Sequence, residues 1–92
     1  MALKAGAAES AAQFTFGLSS ACDVSTRVMN VAGREVRVLP PQPAVKGMNI
    51  LVWDGVSGQG LRVPAGVYLV EVTAQSVNGD RARAVAPLHL TR

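Results

Sequence analysis

From Gln13 onward the chain alternates between apolar and polar positions. Phe14, Phe16 and Leu18 alternate with Thr15 and Gly17, the period of two expected of a strand with one buried face. Ser19-Ser20-Ala21 reads as a turn, after which Val24, Thr26 and Val28 alternate with Asp23, Ser25 and Arg27. Asn30-Val31-Ala32-Gly33 follows, with Gly33 placed where a tight turn needs positive φ. Alternation resumes from Arg34 to Leu39, so residues 23–39 predict a β-hairpin. Pro40, Pro41 and Pro43 then end the strand, because proline has no N–H to give to a ladder, and residues 40–47 are expected to be a loop or an edge crossing. Met48 to Trp53 (MNILVW) is a continuous β-rich run and predicts a central strand. A Gly-containing loop runs from Asp54 to Gly66, and Val67 to Ala74 is the strongest strand in the chain. Asn78-Gly79 is a hairpin signal, and it returns the chain as a last strand, Arg81 to Leu90, weakened by alanines and Pro87.

No segment carries a 3.6-residue apolar period. Six or seven short strands at a spacing of about 8–12 residues imply an all-β sandwich or barrel, and the even spread of core residues favours a sandwich of about seven antiparallel strands. The opening MALKAGAAESAA differs in texture: it is Ala/Gly-rich, without an apolar stripe, and too short for a stable isolated helix. Residues 1–12 are therefore expected to be a lead-in or linker, and residues 13–92 the domain. A small-residue terminus of this kind frays unless a sheet edge holds it, its own or that of a neighbour.

Composition narrows the function more than it names one. The 92 residues are 49% apolar and 16% charged, with 9 Lys+Arg against 6 Asp+Glu, one His, one Cys and a formal net charge of +3. That apolar fraction is too high for a disordered tail, and no apolar stretch approaches the roughly 20 residues of a membrane span. The cations are scattered and the four aromatic residues sit in core-like positions, so neither a basic stripe nor a stacking platform for nucleic acid is expected. Glu9 interrupts Met1–Gln13 before the apolar run of a signal peptide builds up.

Catalytic templates fail on inventory. His89 near the chain end is expected to be a surface or edge residue. The segment Gly55-Val56-Ser57-Gly58-Gln59 lacks the nucleophile-elbow spacing, and Cys22 has no neighbouring cation to activate it. The loop Asp54-x-x-Ser57-x-Gln59 offers one carboxylate, where calcium takes six to eight oxygens. No catalytic residue, metal site or cofactor is expected, and the chain reads as a non-enzyme.

Three ordered groups of residues carry a resemblance: Asn30-x-x-Gly33-Arg34-x-Val36-x-x-Leu39, then Gly47-x-Asn49-x-x-x-Trp53-Asp54-Gly55, then Gly60-x-x-Val63-Pro64-Ala65-Gly66-x-Tyr68-x-Val70. Over about residues 14–91 the chain resembles the Ig-like domain of the flagellar hook-capping protein, a module also seen at the C-termini of secreted bacterial proteins, including a sorting-domain group. The resemblance implies an Ig-like β-sandwich in which Gly33, Arg34, Trp53, Asp54, Gly55, Pro64, Gly66 and Tyr68 are structural. Trp53 would fill the space between two sheets, and Asp54-Gly55 would close an Asx-type turn. Arg34 would cover a sheet edge or pair with Glu35 or Glu71.

The expected function is a non-catalytic structural or assembly module of a bacterial extracellular or cell-envelope protein. Its expected partners are proteins, copies of itself among them, joined through the N-terminal segment. The alternatives are a C-terminal sorting or anchoring domain for secretion and a carbohydrate- or protein-binding accessory module of a larger enzyme.

Overall fold

The computed structural model describes residues 2–8 and 11–91. Met1, Glu9, Ser10 and Arg92, which fall in the expected lead-in and at the end of the expected domain, lie outside the described residues. Seven strands are seen among the described residues: β1 (Leu3–Ala8), β2 (Ala11–Leu18), β3 (Cys22–Asn30), β4 (Glu35–Ala44), β5 (Gly47–Trp53), β6 (Gly66–Ser76) and β7 (Arg81–Leu90). They form two antiparallel sheets, ordered β1-β2-β5 and β4-β3-β6-β7, stacked as an all-β sandwich of the Ig-like kind.

The alternating positions supply the glue. Ala12, Phe14, Phe16 and Leu18 of β2 face Val24 and Val28 of β3, Tyr68, Val70, Val72 and Ala74 of β6, and Leu88 and Leu90 of β7 in one buried cluster. Period-two strands deliver every second side chain to this layer, and Trp53, Phe14 and Phe16 are its largest fully buried members.

Three features depart from the sequence expectations. Leu3–Ala8 of the lead-in is a strand, paired with β2 from Leu3↔Phe16 to Ala8↔Ala11. It lies against β7 as well, and Leu3, Ala5 and Ala7 pack on the core. β-pairing needs main-chain groups, which Ala and Gly supply as well as any residue.

β4 does not stop at Pro40 but runs to Ala44. It is an edge strand, where a missing N–H leaves no ladder bond broken. Its register to β3 also slips between Val24↔Gln42 and Thr26↔Leu39, so Pro40 and Pro41 bulge against the single Ser25.

β5 is an edge strand as well, paired with β2 from Ala12↔Trp53 to Leu18↔Gly47, and not the central strand expected. The central position of its sheet belongs to β2.

Candidate functional site

Parts of all three residue groups meet at one end of the sandwich, where the β3–β4 turn and the β5–β6 loop lie together; Gly47 and Asn49 sit at the other end of β5, where the Asn49 side chain bonds the main chain of Val45 and Gly47. Trp53 ends β5 at 1% exposure and meets the Tyr68 ring edge-on, with centroids 6.2 Å apart and planes at 73°. The main chain of Val56 organises the loop. Its N–H donates to Asp54 Oδ1 at 3.1 Å, while its carbonyl accepts from Trp53 Nε1 at 2.9 Å and from Arg37 Nη1 at 2.8 Å. Gly55 makes the turn between them at φ +76°, a conformation that side-chain-bearing residues rarely adopt. Arg37 Nη1 also lies 3.6 Å from Asp54 Oδ1.

Further along, Ser57 closes a tight turn, its Oγ accepting from Gln59 N and Leu61 N. Gly58 N donates to Val36 O at 3.0 Å, stitching the loop to the edge of β4. Pro64 O accepts the Tyr68 hydroxyl at 2.6 Å, a tyrosine-corner arrangement of the kind that steadies Ig-type sandwiches. Gly66 then opens β6.

The β3–β4 turn is built by Asn30. Its Oδ1 accepts from Ala32 N at 3.0 Å and Arg34 N at 2.9 Å, and Gly33 takes φ +83°. Arg34 therefore contributes its main chain. Glu35 and Glu71, its expected partners, pair elsewhere: Arg27 reaches Glu71 at 3.0 Å and Glu35 at 3.9 Å, and Arg83 reaches Glu71 at 2.9 Å. Sequence reasoning assigned no role to Asn30 or Arg37. The Asn-x-x-Gly spacing is itself an Asx-turn signal, whereas nothing local marks Arg37, whose partners lie 17 and 19 residues away.

A shallow recess of about 610 Å³ opens between β4 and this loop, lined among others by Glu35, Arg37, Asp54, Ser57 and Gln59. Each of its charged groups is already paired within the fold. Cys22, a half-buried free thiol, begins β3 opposite Ser76, whereas His89 sits opposite Val67. Nine residues of β6 separate those positions, about 30 Å of strand, so the two groups share no site. Among the described residues no cluster of three His, Cys, Asp or Glu side chains is arranged to hold a metal ion.

The two outer faces of the sandwich differ in chemistry. Across the four-stranded sheet runs a charge ladder, Glu35–Arg27–Glu71–Arg83. The three-stranded sheet instead presents Met48, Ile50 and Val52 on the outside of β5, 61–69% exposed. Beside this ridge lies a shallow hollow of about 510 Å³ over Lys4, Gly6, Ala11, Gln13, Thr15 and Val52. Among the described residues no helix is long and apolar enough to cross a membrane.

Residues 2–78 match the family described as the FlgD Ig-like domain. No curated protein matches the chain. Among solved structures it is similar to FlgD of Xanthomonas campestris, described in connection with the hook capping essential for flagellar assembly, with TM-score 0.75 and 26% identity over 95% of this chain and 63% of that one. It is also similar to FlgD of P. aeruginosa, with TM-score 0.73 and 18% identity over 90% of this chain and 67% of that one. A third likeness is to dimeric latent PorU of Porphyromonas gingivalis, with TM-score 0.76 and 18% identity over 97% of this chain and 9% of that one. The chain thus spans about two thirds of the FlgD chains and under a tenth of PorU.

Proposed function

The chain belongs to the FlgD Ig-like domain family, and from that premise we propose that it is a non-catalytic structural and assembly module of a bacterial extracellular or cell-envelope protein. One observation carries this: the polar side chains at the loop end are turned inward to main-chain groups. Trp53 Nε1, Asp54 Oδ1, Arg37 Nη1 and Tyr68 Oη all bond the loop's own backbone. They hold a shape, and these four groups are not free to converge on a substrate. Its partners are other proteins, bound through sheet faces and edges with no cofactor.

The N-terminal segment, where self-association was expected, already pairs with β2 of its own chain. Self-association is therefore proposed for the module as a whole and not for that segment. A sugar-binding role draws no support from the aromatic residues, since Phe14, Phe16, Trp53 and Tyr68 are all buried.

Location is tested by placing a short epitope in the exposed β6–β7 turn, between Ser76 and Arg81, in the bacterium that carries the protein. Added protease is expected to remove the epitope from intact or outer-membrane-permeabilised cells while a cytosolic marker survives. Protection of the epitope until lysis of the inner membrane contradicts the proposed placement.

A further inference from the structure

The chain has three asparagines, Asn30, Asn49 and Asn78, and the fold treats them differently. Asparagine is a labile residue, because the next main-chain nitrogen can attack its side-chain carbonyl carbon within the same chain. Two of the three are held away from that reaction. Asn30 Oδ1 accepts from Ala32 N and Arg34 N, and Asn49 is bonded through both Oδ1 and Nδ2 to the main chain of Val45 and Gly47. Val31 and Ile50 follow them, and their branched Cβ atoms crowd the attacking nitrogen.

The β6–β7 turn repeats the build of the β3–β4 turn with one exchange. In the β3–β4 turn Asn30 N donates to Arg34 O and Gly33 N to Asn30 O, both at 2.9 Å. In the β6–β7 turn Ser76 N donates to Asp80 O at 2.9 Å and Gly79 N to Ser76 O at 3.0 Å. The two glycines match as well, at φ +83° and +87°. Ser76 Oγ takes the place of Asn30 Oδ1, accepting from Asp80 N at 3.2 Å. The asparagine has moved to the third position. There Asn78 is exposed, and among the described residues its side chain has no hydrogen-bond partner. Gly79 follows with no side chain to shield its nitrogen, and a Cβ added there would meet nothing within 4 Å.

We infer that Asn78 is a modification site, the place where this protein deamidates spontaneously with water as the co-reactant. Gly79 N attacks Asn78 Cγ. The N–Cγ bond forms, the Cγ–Nδ2 bond breaks, and the amide leaves as ammonia with the proton that Gly79 N gives up. Water then opens the succinimide ring. Opening at Cγ gives aspartate, whereas opening at the main-chain carbonyl gives isoaspartate, with the main chain rerouted through the side chain. Either product takes the formal net charge from +3 to +2.

The turn sets the pace. Gly79 N–H is engaged by Ser76 O, so attack waits for local opening of the hairpin tip, and the folded chain reacts more slowly than the unfolded one. Isoaspartate adds a carbon to the main chain between residues 78 and 79. The two bonds that close the turn at Ser76 lose their spacing, and the tip loosens beside the Gln75↔Arg81 rung.

Ageing of the full chain in mildly alkaline buffer, followed by isoelectric focusing and peptide mass spectrometry, tests the assignment. An acidic form is expected to accumulate, with Asn78 reacting about tenfold or more faster than Asn30 or Asn49 and isoaspartate at residue 78. The same reaction in urea is expected to run faster. Asn78→Ser costs the fold no hydrogen bond of that side chain, and is expected to remove the acidic form while melting stays unchanged. A folded chain whose asparagines all stay intact overturns the assignment. So does reaction first at Asn30 or Asn49, or an acidic form that appears at the same rate in Asn78→Ser. A rate in urea no higher than in the folded chain overturns the role given to the turn. None of these outcomes touches the module role, which stands or falls on the epitope experiment.

Discussion

Tyr68 shows how much a single atom does at the loop end. Its ring is part of the core and packs edge-on against Trp53, while its hydroxyl holds Pro64 O at 2.6 Å. Tyr68→Phe keeps the ring and removes the bond, leaving a carbonyl at the mouth of the core without its donor. The expected cost is about 1 kcal/mol, the usual net worth of such a bond, read as a lower urea midpoint at unchanged slope. A variant with the stability of the parent chain would show that the Tyr68 hydroxyl contributes nothing to holding the 54–65 loop. Asp54 and Arg37 act on the same loop through Val56, so their contributions are coupled to that of Trp53 and will not add independently.

At the scale of strands, what could be read from the sequence depended on contrast. β2, β3 and β6 each carry one apolar and one polar face, and Phe14, Val24 and Val70 announce their inward direction. β1 has little such contrast, because Gly6 and the alanines offer little side chain to sort, and its place is set by main-chain pairing with β2. β5 misled for the opposite reason. Both of its faces are apolar, a pattern that reads as burial on two sides, yet Met48, Ile50 and Val52 face outward. β4 was shortened by reading the prolines as terminators, a rule that holds for central strands and lapses on an edge with a bulge. The loop-end geometry was legible where it was local, as in Asp54-Gly55. It was illegible where Arg37 reaches across from another strand.

The prolines of β4 carry an element-scale prediction. Replacing Pro41 and Pro43 by Thr restores two N–H groups to an exposed edge and returns backbone freedom to the unfolded chain. The expected loss of stability is about 0.4–1 kcal/mol per residue if the native φ suits proline, with faster aggregation seen by light scattering at high protein concentration. Aggregation no faster than that of the parent chain would mean that the prolines do not guard this edge.

For the molecule as a whole, the Cα positions span 38 × 21 × 20 Å, a short rod with loops at its ends and sheets along its sides. Such a body presents surfaces at fixed separation, which is what a spacer or assembly module supplies. Its two sides are unequal, one covered by the Arg27–Glu71–Arg83 ladder and the other by the β5 ridge. The formal net charge of +3 opposes unspecific association of copies in general.

The claim beneath all of this is that the large apolar side chains are committed to holding two sheets together. Trp53 is the single tryptophan, is buried in that layer at the loop end of the sandwich and reports on it directly. Acrylamide and iodide quenching of its fluorescence across a urea titration is the measurement that bears most closely on the claim. The expected result is a native state almost inaccessible to iodide, with quenching rising in one step that coincides with loss of the β signal in circular dichroism. Native-state quenching equal to that of the unfolded chain would place Trp53 in solvent and contradict the sandwich core.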